Sequence, residues 1–235
     1  MTFPTRINKY LSQVGFCSRR EADRLLEDKR ITINDKFPEL GTKVEEGDIV
    51  KVDGKLLDAQ EENRIYMIFN KPKGIVCTTD TRVEKDNIID YINYPSRIFP
   101  IGRLDKMSEG LIFLTNDGDI VNKILRAKYN HDKEYIVKVD RPVNNQFLSA
   151  MQSGVKILDT ITNPCKVRKI NQNTFKIVLT QGLNRQIRRM CETLGFRVLR
   201  LKRIRIMHIS LDIPAGEYRM FTTKELELLN QQIQD

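Results

Sequence analysis

The chain has no tryptophan, two histidines and four cysteines in 235 residues. Cys17, Cys77, Cys165 and Cys191 stand far apart, with no Cys-x-x-Cys pair and no histidine at ligand spacing. Neither a structural zinc nor a disulfide framework is expected, and reduced thiols fit a cytoplasmic protein. No apolar run approaches the roughly 18 residues of a membrane span. The first residues, Met1 to Arg6, hold no apolar core of a secretory leader. No membrane partner is therefore expected. Internal repeats, low-complexity tracts and a dinucleotide-binding glycine fingerprint are also missing.

Positive charge is what the chain has in excess. The formal net charge is +9, and it is unevenly spread. Residues 1–63 carry 11 Lys+Arg against 13 Asp+Glu, whereas residues 64–235 carry 29 against 18. A basic body of this kind suits a polyanion, foremost nucleic acid, although a solvated basic surface would read the same way.

Two segments differ in character, and domains are expected at 1–63 and 64–235. In the first, Ile7 to Val14 is helical. Ser18-Arg19-Arg20-Glu21 has the form of a capping box, followed by Ala22, Leu25 and Leu26 at helical spacing. Ile31-Thr32-Ile33 alternates as a strand and Asn34-Asp35 turns it. Val44 to Val52 reads as a second alternating run between Gly-Asp and Asp-Gly turns. Gln60 to Arg64 is a polar linker.

In the second segment, strands are expected at 65–69, 75–79, 98–101, 111–115, 134–139, 175–180 and 197–206. Helices are expected at 118–127, 144–152, 185–194 and 223–233, the last opened by a Thr222-Thr223-Lys224-Glu225 capping box. Gly195 sits where a helix-ending glycine belongs. Strands and helices do not alternate regularly, so the class is α+β with a largely antiparallel mixed sheet flanked by helices and loops.

Four places could carry chemistry. Asn70-Lys71-Pro72-Lys73-Gly74 makes a tight loop from which two lysines would point outward toward phosphate; a plain hairpin turn is the alternative. Gly102-Arg103-Leu104-Asp105 places an acid where an apolar strand gives way to a loop. Such an acid is either a salt-bridge partner or a working carboxylate. Lys133-Glu134-Tyr135 resembles an ordinary strand with a core aromatic. Arg185, Arg188 and Arg189 stand at i, i+3 and i+4, expected on one helix face. They belong to a tract, residues 184–205, with eight Lys+Arg and only Glu192 opposed.

The first segment resembles an S4 RNA-binding domain, through Arg6-Ile7-Asn8-Lys9-Tyr10-Leu11, Cys17-Ser18-Arg19-Arg20-Glu21-Ala22, Ile33-Asn34 and Val44-x-x-Gly47-Asp48. The resemblance implies RNA contact through its first two helices, with Arg19 and Arg20 as candidates. Residues 6–30 agree, with seven Lys+Arg against four acids.

In their order, the remaining motifs resemble the RsuA/RluB/RluE/RluF family of rRNA pseudouridine synthases, and the likeness covers essentially the whole chain. Asn184 to Cys191 and Asn122 to Ala127 bring it nearest to members acting on 23S rRNA. The resemblance implies isomerisation of uridine to pseudouridine in RNA, without a cofactor or a metal. It implies that Asp105 starts cleavage of the C1′–N1 bond, by attack on C1′ or by assisting a glycal route. It implies that Tyr135 packs on the uracil and assists removal of the C5 proton, and that Arg188 pairs with Asp105. RNA contacts are expected from Lys71, Arg103, Leu104, Lys106, Arg185, Gln186, Ile187 and Arg189. The partner would be 23S rRNA, with a tRNA as second candidate, and the protein a cytoplasmic monomer.

Two other readings compete. Lys106-Met107-Ser108-Glu109-Gly110 resembles the KMSKS loop of class I aminoacyl-tRNA synthetases, but no HIGH-like motif accompanies it and the S4-like segment comes first instead of last. A non-catalytic RNA-binding or ribosome-assembly factor is the second alternative; Asp105, Tyr135 and Arg188 together argue against it.

Overall fold

The computed structural model describes residues 2–57, 63–80, 84–125 and 130–234. They fall into two compact units, Met1–Arg64 and Ile65–Asp235. Most of the expected linker, and residues 126 and 127 of the expected fourth helix, lie outside the described residues.

The first unit runs β1 (Thr5–Arg6), α1 (Ile7–Gln13), α2 (Arg19–Glu27), β2 (Ile31–Ile33), β3 (Lys43–Val44), β4 (Val50–Val52) and β5 (Lys55–Leu56). Ile7 and Leu11 of α1 and Ala22, Leu25 and Leu26 of α2 close over Ile31, Val44 and Val50 in one core. Ser18 caps α2 by accepting from the Glu21 amide at 3.1 Å. Only that half of the expected box forms, because the Glu21 carboxylate turns to Arg24 at 3.3 Å. Asn34 and Asp35 both take positive φ, 51° and 62°, which suits the tight turn after β2. The run from Val44 to Val52 is not one strand. Asp48 accepts from the Glu45 amide at 2.8 Å and folds a turn inside it. The run then serves two sheets: β3 pairs β1, and β4 sits between β2 and β5.

The second unit continues with β6 (Tyr66–Lys71), α3 (Ile88–Ile92), β7 (Phe99–Ile101), β8 (Glu109–Thr115), α4 (Gly118–Leu125), β9 (Lys133–Val139) and α5 (Asn145–Ser153). Then come β10 (Lys156–Ile157), β11 (Thr160–Ile161), β12 (Lys166–Asn171), β13 (Thr174–Leu179) and α6 (Gln186–Thr193). The chain ends with β14 (Val198–Ile206), β15 (Ile209–Ser210), β16 (Tyr218–Met220) and α7 (Thr223–Ile233). A nine-stranded sheet runs β12-β13-β9-β14-β8-β6-β16, with β7 beside β8 and β15 beside β14.

Alternation along the strands builds a core on each face of this sheet. Met67, Phe69, Ile112, Leu114, Val137 and Phe175 face α3, α5 and α6. Ile68, Leu111, Phe113 and Ile206 face α4 and α7. Among the described residues every pairing in this sheet is antiparallel except one. Strands β14 and β8 run parallel and meet over two residue pairs, Lys202 with Glu109 and Arg203 with Gly110. Beyond that joint β7 takes the same edge of β8. The loop from β7 to β8 therefore emerges where the sheet is seamed.

Three expectations change here. Residues 75–79 form no ladder; the Val76 amide and carbonyl pair with Asp86 and Ile88, in a loop. Helix α3 is unanticipated, because at five residues it is too short for an amphipathic period; Asn87 caps it through the Ile89 and Asp90 amides. Strand β12, Lys-Val-Arg-Lys-Ile-Asn, reads as polar because it is an exposed edge, where lysines discourage further pairing. Gly195, at φ 80°, follows α6 as expected.

Thr222 and Glu225 form a complete capping box at α7. The Glu225 carboxylate also takes Arg219 at 2.7 Å, and Arg219 takes Asp212 at 2.7 Å. Hydrogen bonding to Arg219 leads the causes that hold the Glu225 carboxyl down at about 2. A depressed folded pKa gives stability that is present above the unfolded value, near 4.3, and lost as pH falls toward 2. Glu225→Gln should therefore be less stable than the parent near neutrality, and the gap should close between about pH 4.5 and 2, read from urea midpoints. A gap that stays constant over that range would remove Glu225 from this role. Gly110→Ala should lower stability by roughly 1–3 kcal/mol in the same assay, since a Cβ there would collide with the Arg203 carbonyl oxygen. An unchanged midpoint would mean the joint can shift.

Candidate active site

The seam of the sheet opens on a cavity of about 420 Å³. Its wall includes Arg103, Asp105, Tyr135, Arg185, Ile187 and Arg203. Asp105 comes from the β7–β8 loop, Tyr135 from β9, Arg185 and Ile187 from the start of α6, and Arg203 from β14. Segments far apart in sequence converge because β9 and β8 both flank β14, and α6 packs over that sheet face.

Arg188 lies inside this wall. Its Nε donates to Asp105 Oδ2 at 3.3 Å, across 83 residues. Its Nη2 donates to the Met107 carbonyl at 3.2 Å and to Ser108 Oγ at 3.1 Å. The guanidinium thus binds the carboxylate and the turn that carries it. The Arg188 side chain is 10% exposed and that of Asp105 29%, so the cation is sealed while the carboxylate still faces the cavity. Arg185 adds a second cation at 3.9 Å. The two guanidinium groups fix where the carboxylate stands and leave it turned to the cavity.

The loop is fixed from below as well. The Ser108 amide donates to the Asp105 carbonyl at 2.9 Å and closes a turn. The Gly74 amide donates to the Lys106 carbonyl at 2.8 Å. The Leu104 amide donates to Cys77 Sγ at 3.4 Å. Lys71 Nζ donates to the Ser108 and Pro72 carbonyls, both at 2.8 Å. Burial pushes the Lys71 ammonium down and the Cys77 thiol up, so both are internal fasteners.

Lys71 therefore corrects the expectation of an outward lysine. It is 0% exposed, because it ends a strand whose far face is covered by the Asp105 loop. Arg185, Arg188 and Arg189 also depart from the expected shared face. Helix α6 starts at Gln186, and Arg185 precedes it in a left-handed conformation at φ 50°. Arg185 and Arg188 converge on Asp105, whereas Arg189 turns back to Asn184, at 3.1 and 3.0 Å.

Gln186 is buried; its Oε1 accepts from the Leu183 amide and its Nε2 donates to Gln181, so it shapes the loop before α6. Leu104 and Ile187 are buried apolar parts of the wall. Arg103 is exposed at the cavity. Lys106 is exposed and lies 3.9 Å from Glu84 and 3.8 Å from Asp86. Arg19 and Arg20 are exposed on α2, in the first unit. Ser108, Cys77, Lys133 and Arg203 were missed by sequence reasoning. Lys133 and Arg203 had a signal: each occupies an inward position of an otherwise alternating strand. Among the described residues no group of His, Cys, Asp and Glu could hold a metal, and no helix is long and apolar enough to cross a membrane.

The S4 domain family matches residues 5–50, and the RNA pseudouridylate synthase family matches residues 65–193. The dual-specificity RNA pseudouridine synthase RluF of Salmonella typhi is 55% identical over 224 residues, which is 94% of this chain and 77% of that protein. The ribosomal large subunit pseudouridine synthase B of Bacillus subtilis (strain 168) is 33% identical over 233 residues, 95% of each chain. A crystal structure of a pseudouridylate synthase superposes with a TM-score of 0.70 at 27% identity, covering 96% of this chain and 99% of that one. The chain belongs to the RNA pseudouridylate synthase family, with an S4 domain ahead of the synthase domain.

Proposed function

We propose that the cavity around Asp105 receives one uridine of an RNA and that Asp105, Tyr135 and Arg188 carry out its isomerisation to pseudouridine. The observation that carries this reading is the Asp105–Arg188 contact at 3.3 Å, with the aspartate still open to a cavity that Tyr135 also lines. A uridine within a stack cannot present C1′ to a carboxylate inside a cavity. It must leave the stack, at a cost of a few kcal/mol. Arg103, exposed at the cavity, is suited to hold the RNA backbone or fill the gap.

Asp105 then starts cleavage of C1′–N1. It does so either by bonding to C1′ or by taking the 2′ proton on a glycal path; the carboxylate must be ionised for both. Tyr135 packs against the base, which turns so that C5 faces C1′, and C5 gives up its proton once the new bond forms. Arg188 holds and aims Asp105. Arg185 serves both Asp105 and the RNA, while Arg189 and Lys106 offer charge to phosphates nearby. In the first unit, exposed Arg19 and Arg20 add backbone contacts that carry no sequence information.

The RNA we propose is 23S rRNA, with a tRNA as a second substrate. Similarity to proteins named for dual specificity and for the ribosomal large subunit supports this. We also propose a monomer acting in the cytoplasm; Asp105, Tyr135 and Arg188 all come from one chain.

Asp105→Asn should lower pseudouridine formation by roughly 10³-fold or more while leaving RNA affinity nearly unchanged. Carbodiimide-blocked primer extension on rRNA from cells with and without the protein reads the product and its position. Conversion by the variant at a comparable rate would sink the assignment. Replacing Arg19 and Arg20 together by alanine should weaken RNA binding at every sequence. The slope of log affinity against log salt should shrink by about 0.7 for each phosphate that is no longer neutralised. An unchanged slope would take these two arginines off the RNA.

A further inference from the structure

The cavity wall holds more positive charge than Asp105 needs. Asp105 is already flanked by Arg188 at 3.3 Å and Arg185 at 3.9 Å. Two further cations, Arg203 and Lys133, line the cavity with Tyr135 and are only 4% and 8% exposed. Arg203 is paired in register with Tyr135 across β14–β9 and with Gly110 across the parallel joint. Its Cζ stands over the Tyr135 ring, 6.0 Å from the centroid. Its Nε donates to the Leu111 carbonyl at 2.6 Å. Its Nη2, sealed from solvent, has no hydrogen-bond partner among the described residues. Lys133 Nζ donates to the His131 carbonyl at 3.4 Å. Burial, and then the charge of Arg203, push the Lys133 ammonium down.

Burying a cation without a carboxylate is expensive, and an orphaned guanidinium nitrogen adds to that. The two acids that flank Lys133 in sequence are occupied: Glu134 takes Arg205 at 2.7 Å, and Asp132 takes Arg205 at 3.4 Å. A neutral uridine gives this charge nothing to oppose. Its reaction does. When C1′–N1 breaks, the electron pair leaves with the base. The detached uracil then carries a full negative charge spread over N1, O2 and O4, until C5 bonds C1′ and loses its proton. Asp105 balances the sugar side, by bonding C1′ or by taking the 2′ proton.

We infer that Arg203 is a positioning residue for the reaction: acting through the Tyr135 ring, it holds the platform for the base and supplies the positive field that stabilises the detached uracil anion. Preoriented charge in a site closed to water acts strongly and needs no reorganisation during the reaction. Gly110 is part of the device, since a Cβ there would push away the Arg203 backbone. The inference rests on the reading of the Asp105 cavity as the uridine site.

The test is a leaving-group experiment. Fluorine at C5 withdraws electrons and stabilises the base anion by itself, so 5-fluorouridine needs the field less. In vitro transcripts of 23S rRNA would be made with uridine or 5-fluorouridine. Single-turnover loss of the intact nucleoside at the target position, read after nuclease digestion, reports C1′–N1 cleavage in both. Arg203→Met should slow cleavage of uridine by about 10²-fold, and that of 5-fluorouridine by about tenfold or less. Arg203→Gln, which keeps a donor toward Leu111 and removes the charge, should discriminate in the same way if the Met variant does not fold. Arg203→Lys should recover most of the rate. An equal loss on both transcripts, or a Lys variant as slow as the Gln variant, overturns the inference. Asp105→Asn serves as the separate control: cleavage by that variant would sink the cavity assignment itself and leave the measurement on Arg203 distinct from it.

Discussion

The contact between Arg188 and Asp105 joins two parts of the chain that nothing local would bring together. One end is a seven-residue loop between two strands, and the other is the first full turn of a helix. The guanidinium spends its Nε on the carboxylate and its Nη2 on the Met107 carbonyl and the Ser108 hydroxyl. Aspartate and loop are therefore held by the same group. Removing one partner of a buried pair typically costs roughly 3–5 kcal/mol, and the 29% exposure of Asp105 places this pair below that range. Its importance is geometric: it aims a charged oxygen into a cavity.

The rest of the second unit can be understood as support for that aim. Lys71, Cys77 and the Gly74 amide hold the Asp105 loop from the β6 side. The parallel joint between β8 and β14 holds it from the other side, with Gly110 admitting the Arg203 backbone. Two hydrophobic cores lie against the sheet: Tyr135 and Val137 of β9 and Leu201 of β14 pack into one, and Ile206 of β14 into the other. In such a frame a polar site can be rigid while its front remains open. Function is concentrated at the seam because irregular backbone there frees a loop without breaking the ladder on either side.

The first unit follows a different logic. Its core is small and its helices display charge: Arg19 and Arg20 are exposed on α2. An acidic balance overall and a basic helical face coexist because the acids gather in turns, where Asp35, Asp48 and Asp53 take Lys51, Asn34 and Arg30. Membership of the family rests on both units, each matched by its own family over its own residues.

By itself the sequence determined the two-part organisation, the long helices and most central strands. Each of these is written in a local period or a cap, as in Ser18 before α2 and Thr222 before α7. It also marked Asp105 and the arginine tract, since an acid and a run of cations stand out against apolar runs, whereas Tyr135 reads as an ordinary core aromatic and only the family resemblance singles it out. Only the tertiary structure decided where side chains point. Lys71 reads as a surface lysine, yet a covering loop buries it and two carbonyls satisfy it. Arg185 and Arg189 read as one helix face, yet a left-handed residue starts α6 one position later and sends them apart. Arg203 reads as one more basic residue in a basic tract, yet strand register places it under Tyr135. The physical reason is the same in each case. Periodicity is a property of neighbours along the chain, whereas burial of a charge depends on groups that are distant in sequence and meet only when the sheet closes.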